Sequence, residues 1–169
     1  MQLRGRDALA AAAAAAVLVA GRAAGAHGAV TCRASTIHYR NDPVFPAGVN
    51  GVPWIASSNG AVHGYLFYLG GTRWLHTHPH RAMIFTTGSH VRGDPKVLWV
   101  AGRPAAGMIT IVGTRLDGAG TFAARYPAAS GGHDQFPSFV KVPTPGCWLV
   151  RLRSGAVRGS VTFDAVDLQ

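Results

Sequence analysis

The stretch from Cys147 to Val166 constrains the fold more than any other part of the chain. Trp148, Val150 and Leu152 alternate with Leu149, Arg151 and Arg153. A Ser154-Gly155 turn follows, after which Val157, Val161, Phe163 and Ala165 share one side while Arg158, Ser160, Thr162 and Asp164 share the other. Side chains on a strand point to opposite faces in turn, so a period of two with one apolar side means a sheet packed on one face and wet on the other. A helix cannot carry this pattern, because its apolar stripe repeats every three to four residues.

The same chemistry recurs upstream. Glycine and proline punctuate the chain at short intervals, and the segments between them are rich in Val, Ile, Thr and aromatics. Strands are expected at Val30–His38, Trp54–Ala56, Val62–Leu69, Ala82–Thr87, Lys96–Ala101, Met108–Leu116, Thr121–Tyr126, Phe136–Val142, Cys147–Arg153 and Ala156–Val166. Val62–Leu69 and Ala82–Thr87 read as the centre of the sheet core, and Asp117-Gly118 as a tight turn. About nine or ten short strands with regular turn signals predict an all-β protein, an immunoglobulin-like antiparallel β-sandwich.

The N-terminus is set aside from the fold. Arg4 and Arg6 precede an uncharged run, Ala8–Ala20, and Ala24-Gly25-Ala26 supplies the small residues of a cleavage site. This is the form of a secretory signal peptide over residues 1–26, leaving a single domain over 27–169. The apolar run is about half the ~20 residues that a membrane span needs. Arg22 stands where a lipoprotein signal would carry cysteine, so a free, secreted (extracytoplasmic) protein is expected. The two cysteines, Cys32 and Cys147, are expected to pair in that oxidising compartment.

Several stretches resemble a group of uncharacterised exported bacterial proteins that are small, single-domain and β-sandwich in character. They are Gly64-Tyr65-Leu66-Phe67-Tyr68, Lys96-Val97-Leu98-Trp99, the Pro143-Thr144-Pro145-Gly146-Cys147-Trp148 element, and the closing hairpin through Gly155 and Gly159-Ser160-Val161. The resemblance spans Trp54 to Val166. It implies a fold and a compartment, and brings no catalytic residues with it.

Chemistry concentrates at His76, His78 and His80. On an extended strand these share one face, with Cα atoms about 6–7 Å apart. Two such imidazoles reach one Zn²⁺ or Cu²⁺, and His63 and His90, near in sequence to the strands on either side, would complete a three- or four-nitrogen site. Pro79 places the segment at an edge or in a loop. All-nitrogen sites suit copper and zinc, with copper favoured on intrinsic affinity. A second candidate is His27. As a new N-terminal residue its α-amine and Nδ1 would chelate Cu²⁺. His27-Gly28 and Pro79-His80 resemble the copper brace of lytic polysaccharide monooxygenases, although the rest of the chain departs from that pattern.

Nucleophilic catalysis finds little footing. Ser58 and Ser89 lack a nucleophile elbow, and Asp94 and Asp117 stand in turn contexts beside Pro95 and Gly118, so most of the aspartates are expected to be structural. Most aromatics are expected in the core, with Trp74 as the one accessible ligand surface. The formal charge of +9 is carried almost wholly by arginine, with no glutamate, and favours acidic partners. The arginines are scattered, with no run longer than Arg151-Leu152-Arg153, which argues against nucleic acid. Two functions of different class follow. One is an exported binding or structural module for an extracellular ligand or protein, without a complete catalytic constellation. The other is a secreted copper protein, or a copper-dependent oxidative enzyme using His27.

Overall fold

The computed structural model describes residues 31–44, 51–69, 80–87, 89, 94–102, 104–130 and 134–167. Among these the protein is all-β, with nine strands in two sheets. They are β1 (Trp54–Ala56), β2 (Val62–Leu66), β3 (Met83–Phe85), β4 (Lys96–Ala101), β5 (Met108–Arg115), β6 (Thr121–Pro127), β7 (Gln135–Phe139), β8 (Gly146–Ser154) and β9 (Val157–Val166). The four-stranded sheet has the order β1-β2-β4-β7 and is antiparallel throughout. The five-stranded sheet has the order β3-β9-β8-β5-β6 and is mixed, because β3 runs parallel to β9. No helix among the described residues is long and apolar enough to cross a membrane.

One core joins the sheets. Val62 and Leu66 of β2, Val97 and Trp99 of β4 and Phe136 of β7 meet Ile109 and Ile111 of β5, Trp148 and Val150 of β8, and Phe163 of β9. The alternation read from Cys147–Val166 is the burial pattern observed: Trp148, Val150, Leu152, Val161, Phe163 and Ala165 are buried, while Arg151, Arg153 and Arg158 are exposed. Glycine makes room where a ring lies flat on the sheet. Gly64 stands opposite Trp99 across the β2–β4 ladder, and an added Cβ would lie 2.5 Å from that indole. Gly113 plays the same part beneath Phe122.

The differences from the sequence reading are local. Val30–His38 is no strand over its described part; Thr36 and His38 make only single bridges, to Arg81 and Trp54. Val62–Leu69 ends as a strand at Leu66, and Phe67–Leu69 turns as a 3₁₀ segment. That turn buries Leu69 and lets the Tyr68 hydroxyl donate to the Met83 carbonyl at 2.6 Å. The segment expected beside β2 at the sheet centre is instead the three-residue edge strand β3 of the opposite sheet. An apolar run alone does not say which sheet receives it.

Phe136–Val142 shortens likewise to β7, with Val142 bridging Thr86. The last hairpin turns on Gly155-Ala156, Ser154 pairing with Val157, and Gly155 takes a positive φ of 59° at the first central position. The Asp117-Gly118 turn is a longer loop closed by the Arg115 amide donating to the Gly120 carbonyl at 3.0 Å.

Cys32 and Cys147 form the expected disulfide, with Cα atoms 5.3 Å apart at a sequence separation of 115. It ties the N-terminal segment to the start of β8. Closing so long a loop restricts the unfolded chain and is worth about 4–5 kcal/mol in the chain-entropy treatment. Cys32→Ser/Cys147→Ser should therefore lower unfolding stability in urea by about that amount, with the far-ultraviolet circular dichroism of the folded state unchanged. Equal denaturation midpoints for the two proteins would contradict it.

Candidate functional site

The two outward sheet faces differ in kind. On the four-stranded sheet, Trp54, His63 and Tyr65 point away from the main core, since Ile55, Val62, Gly64 and Leu66 point into it. The segment Thr36–Val44 lies across this face. His38 exchanges backbone hydrogen bonds with Trp54 at 2.8 and 2.9 Å. The Trp54 indole donates to the Arg40 carbonyl at 2.7 Å. Asp42 then descends onto the sheet, where its Oδ2 accepts from His63 Nδ1 and from the Tyr65 hydroxyl, the latter at 3.0 Å. Asp42, His63 and Tyr65 are all nearly inaccessible.

The rings stack in series. His38 lies over Trp54 with centroids 4.3 Å apart, and Trp54 lies over His63 at 5.0 Å and only 9° from parallel. A buried carboxylate is tolerable only where such donors satisfy it. The network thus fastens the N-terminal segment to the sheet and gives that segment the partners its lack of strand pairing would otherwise leave wanting.

Of the histidines expected to bind metal, His63 is therefore engaged with Asp42 in this buried network, and His80 sits in an exposed turn whose carbonyl accepts from the Ile37 amide. His76, His78, His90 and His27, with the ligand-surface candidate Trp74, lie outside the described residues. Among the described residues no three His, Cys, Asp or Glu side chains gather as a metal site would require. Asp42 carried no sequence signal as a partner of His63, because their contact spans 21 residues. The one available hint was that His63 and Tyr65, two apart on β2, share a face.

The outward face of the five-stranded sheet is basic. Pairing register sets Arg125 of β6 opposite Thr110 of β5, Thr110 opposite Arg153 of β8, and Arg153 opposite Arg158 of β9. Three arginines thus stand in one row across four strands. In the next row Val112, Arg151 and Ser160 are in line. Strands lie about 5 Å apart and same-face neighbours about 7 Å apart along a strand, so the four guanidinium stems rise from a patch roughly 15 Å wide.

Four of the described aspartates are committed elsewhere. Asp42 meets His63, Asp94 meets Lys141, Asp117 meets Arg115, and Asp164 meets Arg81. None of Arg125, Arg151, Arg153 and Arg158 has a carboxylate within ion-pair distance among the described residues. At Asp117, burial pushes the carboxyl up, but hydrogen bonds from Arg115 and backbone amides, with the Arg115 charge, hold it below its ordinary value.

The face is also concave. A cavity of 590 Å³ opens over β5, β8 and β9, lined by Arg151, Arg153 and Arg158 with Thr110, Val112 and Ser160. The β1–β2 turn forms its wall. The Ser58 amide donates to the Ser160 carbonyl at 2.9 Å, and Asn59 Nδ2 donates to the Arg158 carbonyl at 2.8 Å. This docking also seals the edge of β9, which β3 covers only from Asp164 onward. The sequence showed these arginines as scattered; strand pairing gathers them.

All four tyrosines, Tyr39, Tyr65, Tyr68 and Tyr126, are pushed above the ordinary phenol value of 10.0, each chiefly by burial. At Tyr65 the hydrogen bond to Asp42 and its negative charge add to the effect. Above pH 10.0 the unfolded chain releases phenolic protons that the folded chain retains. Stability is thus complete below that pH and falls as pH rises beyond it. Urea midpoints between about pH 9 and about pH 11 should decline, and decline less steeply in Tyr65→Phe than in wild type. Parallel curves would remove Tyr65 from the account.

Comparison of the chain with protein-family models, with curated proteins and with solved structures gives no match.

Proposed function

We propose that this chain is an exported β-sandwich module that binds an anionic ligand on the arginine-bearing face of its five-stranded sheet, without turning the ligand over. The observation that carries the reading is the register that brings Arg125, Arg151, Arg153 and Arg158 onto one concave face with no carboxylate partner. A solvated surface gains nothing from setting Arg153 directly opposite Arg158, where like charges on paired strands cost about 0.2–1 kcal/mol. An anion lying between them reverses the sign of that contribution. Export is supported by the leader-like N-terminus and by the disulfide.

An immunoglobulin-like arrangement is part of the proposal. Its support is the strand order. The series β3-β9-β8-β5-β6, with a parallel edge strand, and the β4–β7 pair opposite follow the connectivity of variable-type domains, if β4 to β9 are taken as the B, C, C′, E, F and G strands. Such sandwiches commonly serve as recognition modules, and this analogy stands behind the geometry of the face, not in front of it. A copper- or zinc-loaded version, with the metal at His76 and His78, draws its support from sequence spacing alone.

The reading predicts salt-sensitive binding. Purified mature protein should bind dextran sulfate at low salt and lose at least about tenfold in affinity as ionic strength rises from about 0.05 to about 0.5 M. Replacing Arg125, Arg151, Arg153 and Arg158 together by glutamine should cost a similar factor at low salt. Arg40→Gln/Lys96→Gln, in the N-terminal segment and on β4 of the other sheet, should retain affinity within about twofold. Equal losses in both variants would mean that net charge, and not this face, does the binding.

A further inference from the structure

Resting on the reading of this face as the ligand surface, we infer that its cavity holds a seat for an ester oxyanion with three terminal oxygens, a phosphate or sulfate carried on a sugar. The seat lies among Arg151, Arg153 and Arg158 and the Ser58–Ser160 hydroxyl pair.

Arginine donors are numerous around this cavity. Arg153 and Arg158 are direct cross-strand partners, and Arg151 follows Arg153 on the same face of β8. All three line the cavity; Arg151 also donates to Thr114 Oγ1 and Arg153 Nε to the Gly155 carbonyl, each at 3.4 Å, and each guanidinium is a planar fork able to grip two oxygens at once. A carboxylate has two oxygens and a single charge, so one fork engages both of them. A phosphate or sulfate ester has three, so two forks share it and a third donor still finds an acceptor. A phosphate ester also brings a charge of about −1.5 to −2 at neutral pH, which matches more than one arginine.

The hydroxyls supply the next donor. Ser58 Oγ and Ser160 Oγ lie 3.0 Å apart, and whichever donates, the other keeps its own proton for the cavity. Asn59 is already committed: its Nδ2 donates to the Arg158 carbonyl, and its Oδ1 accepts from Ser57 Oγ and from the Ala61 amide. It therefore fixes the wall in place. No acidic side chain lines the cavity, so nothing opposes a dianion there.

The rest of the cavity indicates what carries the ester. Its floor is Val112 and the aliphatic stems of the arginines, with no aromatic ring among the lining residues. A nucleobase would want a ring to stack on. A sugar instead presents C–H faces to aliphatic carbon and hydroxyls to Thr110, and 590 Å³ accommodates a ring bearing the ester. Arg125 stands two strands away from Arg153, outside the seat, where it meets the next charge of a longer chain.

The test is calorimetric titration with glucose-6-phosphate, glucose-6-sulfate, glucuronate and glucose as probes on one sugar frame, with dextran sulfate as reference. At least one of the two esters should bind about tenfold or more tightly than glucuronate, and which of them does so tells phosphate from sulfate. Arg153→Gln/Arg158→Gln should bring the esters within about twofold of glucuronate, while Arg125→Gln preserves the preference. Ligand-free melting of each variant, at or above wild type, shows that the fold is intact. If glucuronate binds as well as the esters, or if none of the small probes binds while dextran sulfate does, the seat is overturned and the broader anionic reading stands. Failure of dextran sulfate itself overturns both.

Discussion

The structure depends on the register of β8. This strand is paired along its length with β9 and over six residues with β5. It sends Trp148, Val150 and Leu152 into the core and Arg151 and Arg153 to solvent, and its second residue, Cys147, anchors the only described disulfide. A slip of one residue would exchange the two sets of side chains. Two arginines would then enter the core, and the tryptophan would leave it. The apolar side of the strand fixes the register for reasons of stability, and the arginine row on the other side follows from the same register. Core and candidate site are two consequences of one pairing.

Charge is distributed with the same economy. The chain has few carboxylates, and the described ones that form ion pairs are placed at the margins or in the buried His63 network. Asp42 is spent on holding the N-terminal segment over the four-stranded sheet, through donors from β2 and the Trp54 stack beside them. The other outward face is left with its positive charge uncompensated. One sheet carries a polar network turned inward under a covering segment. The other carries an open basic concavity walled by the β1–β2 turn.

How far all this could be read beforehand differs by element. The last hairpin was legible residue by residue, because alternation over twenty residues has one solution. The disulfide was legible from there being two cysteines. The fate of Ala82–Thr87 was not. A continuous apolar run fits a sheet centre or an edge buried by its neighbours, and only the pairing of β3 with β9 shows which. The arginine face was missed because Arg125, Arg151 and Arg158 are distant or opposed in sequence and meet only through pairing. The Asp42–His63 contact was missed for the same reason. The histidine cluster, by contrast, stood out because its members are adjacent, and adjacency is the one kind of proximity a sequence displays directly.

The account's central claim is that the outward face of β5, β8 and β9 is where a ligand sits. Nuclear magnetic resonance of the isotope-labelled protein, observing backbone amides and arginine side-chain N–H groups during titration with dextran sulfate, tests it most directly. The account predicts shifts concentrated at Thr110, Val112, Arg151, Arg153, Arg158 and Ser160, with His63, Tyr65 and their neighbours on the opposite sheet undisturbed. Shifts centred on the four-stranded sheet, or spread evenly over every exposed arginine, would contradict it.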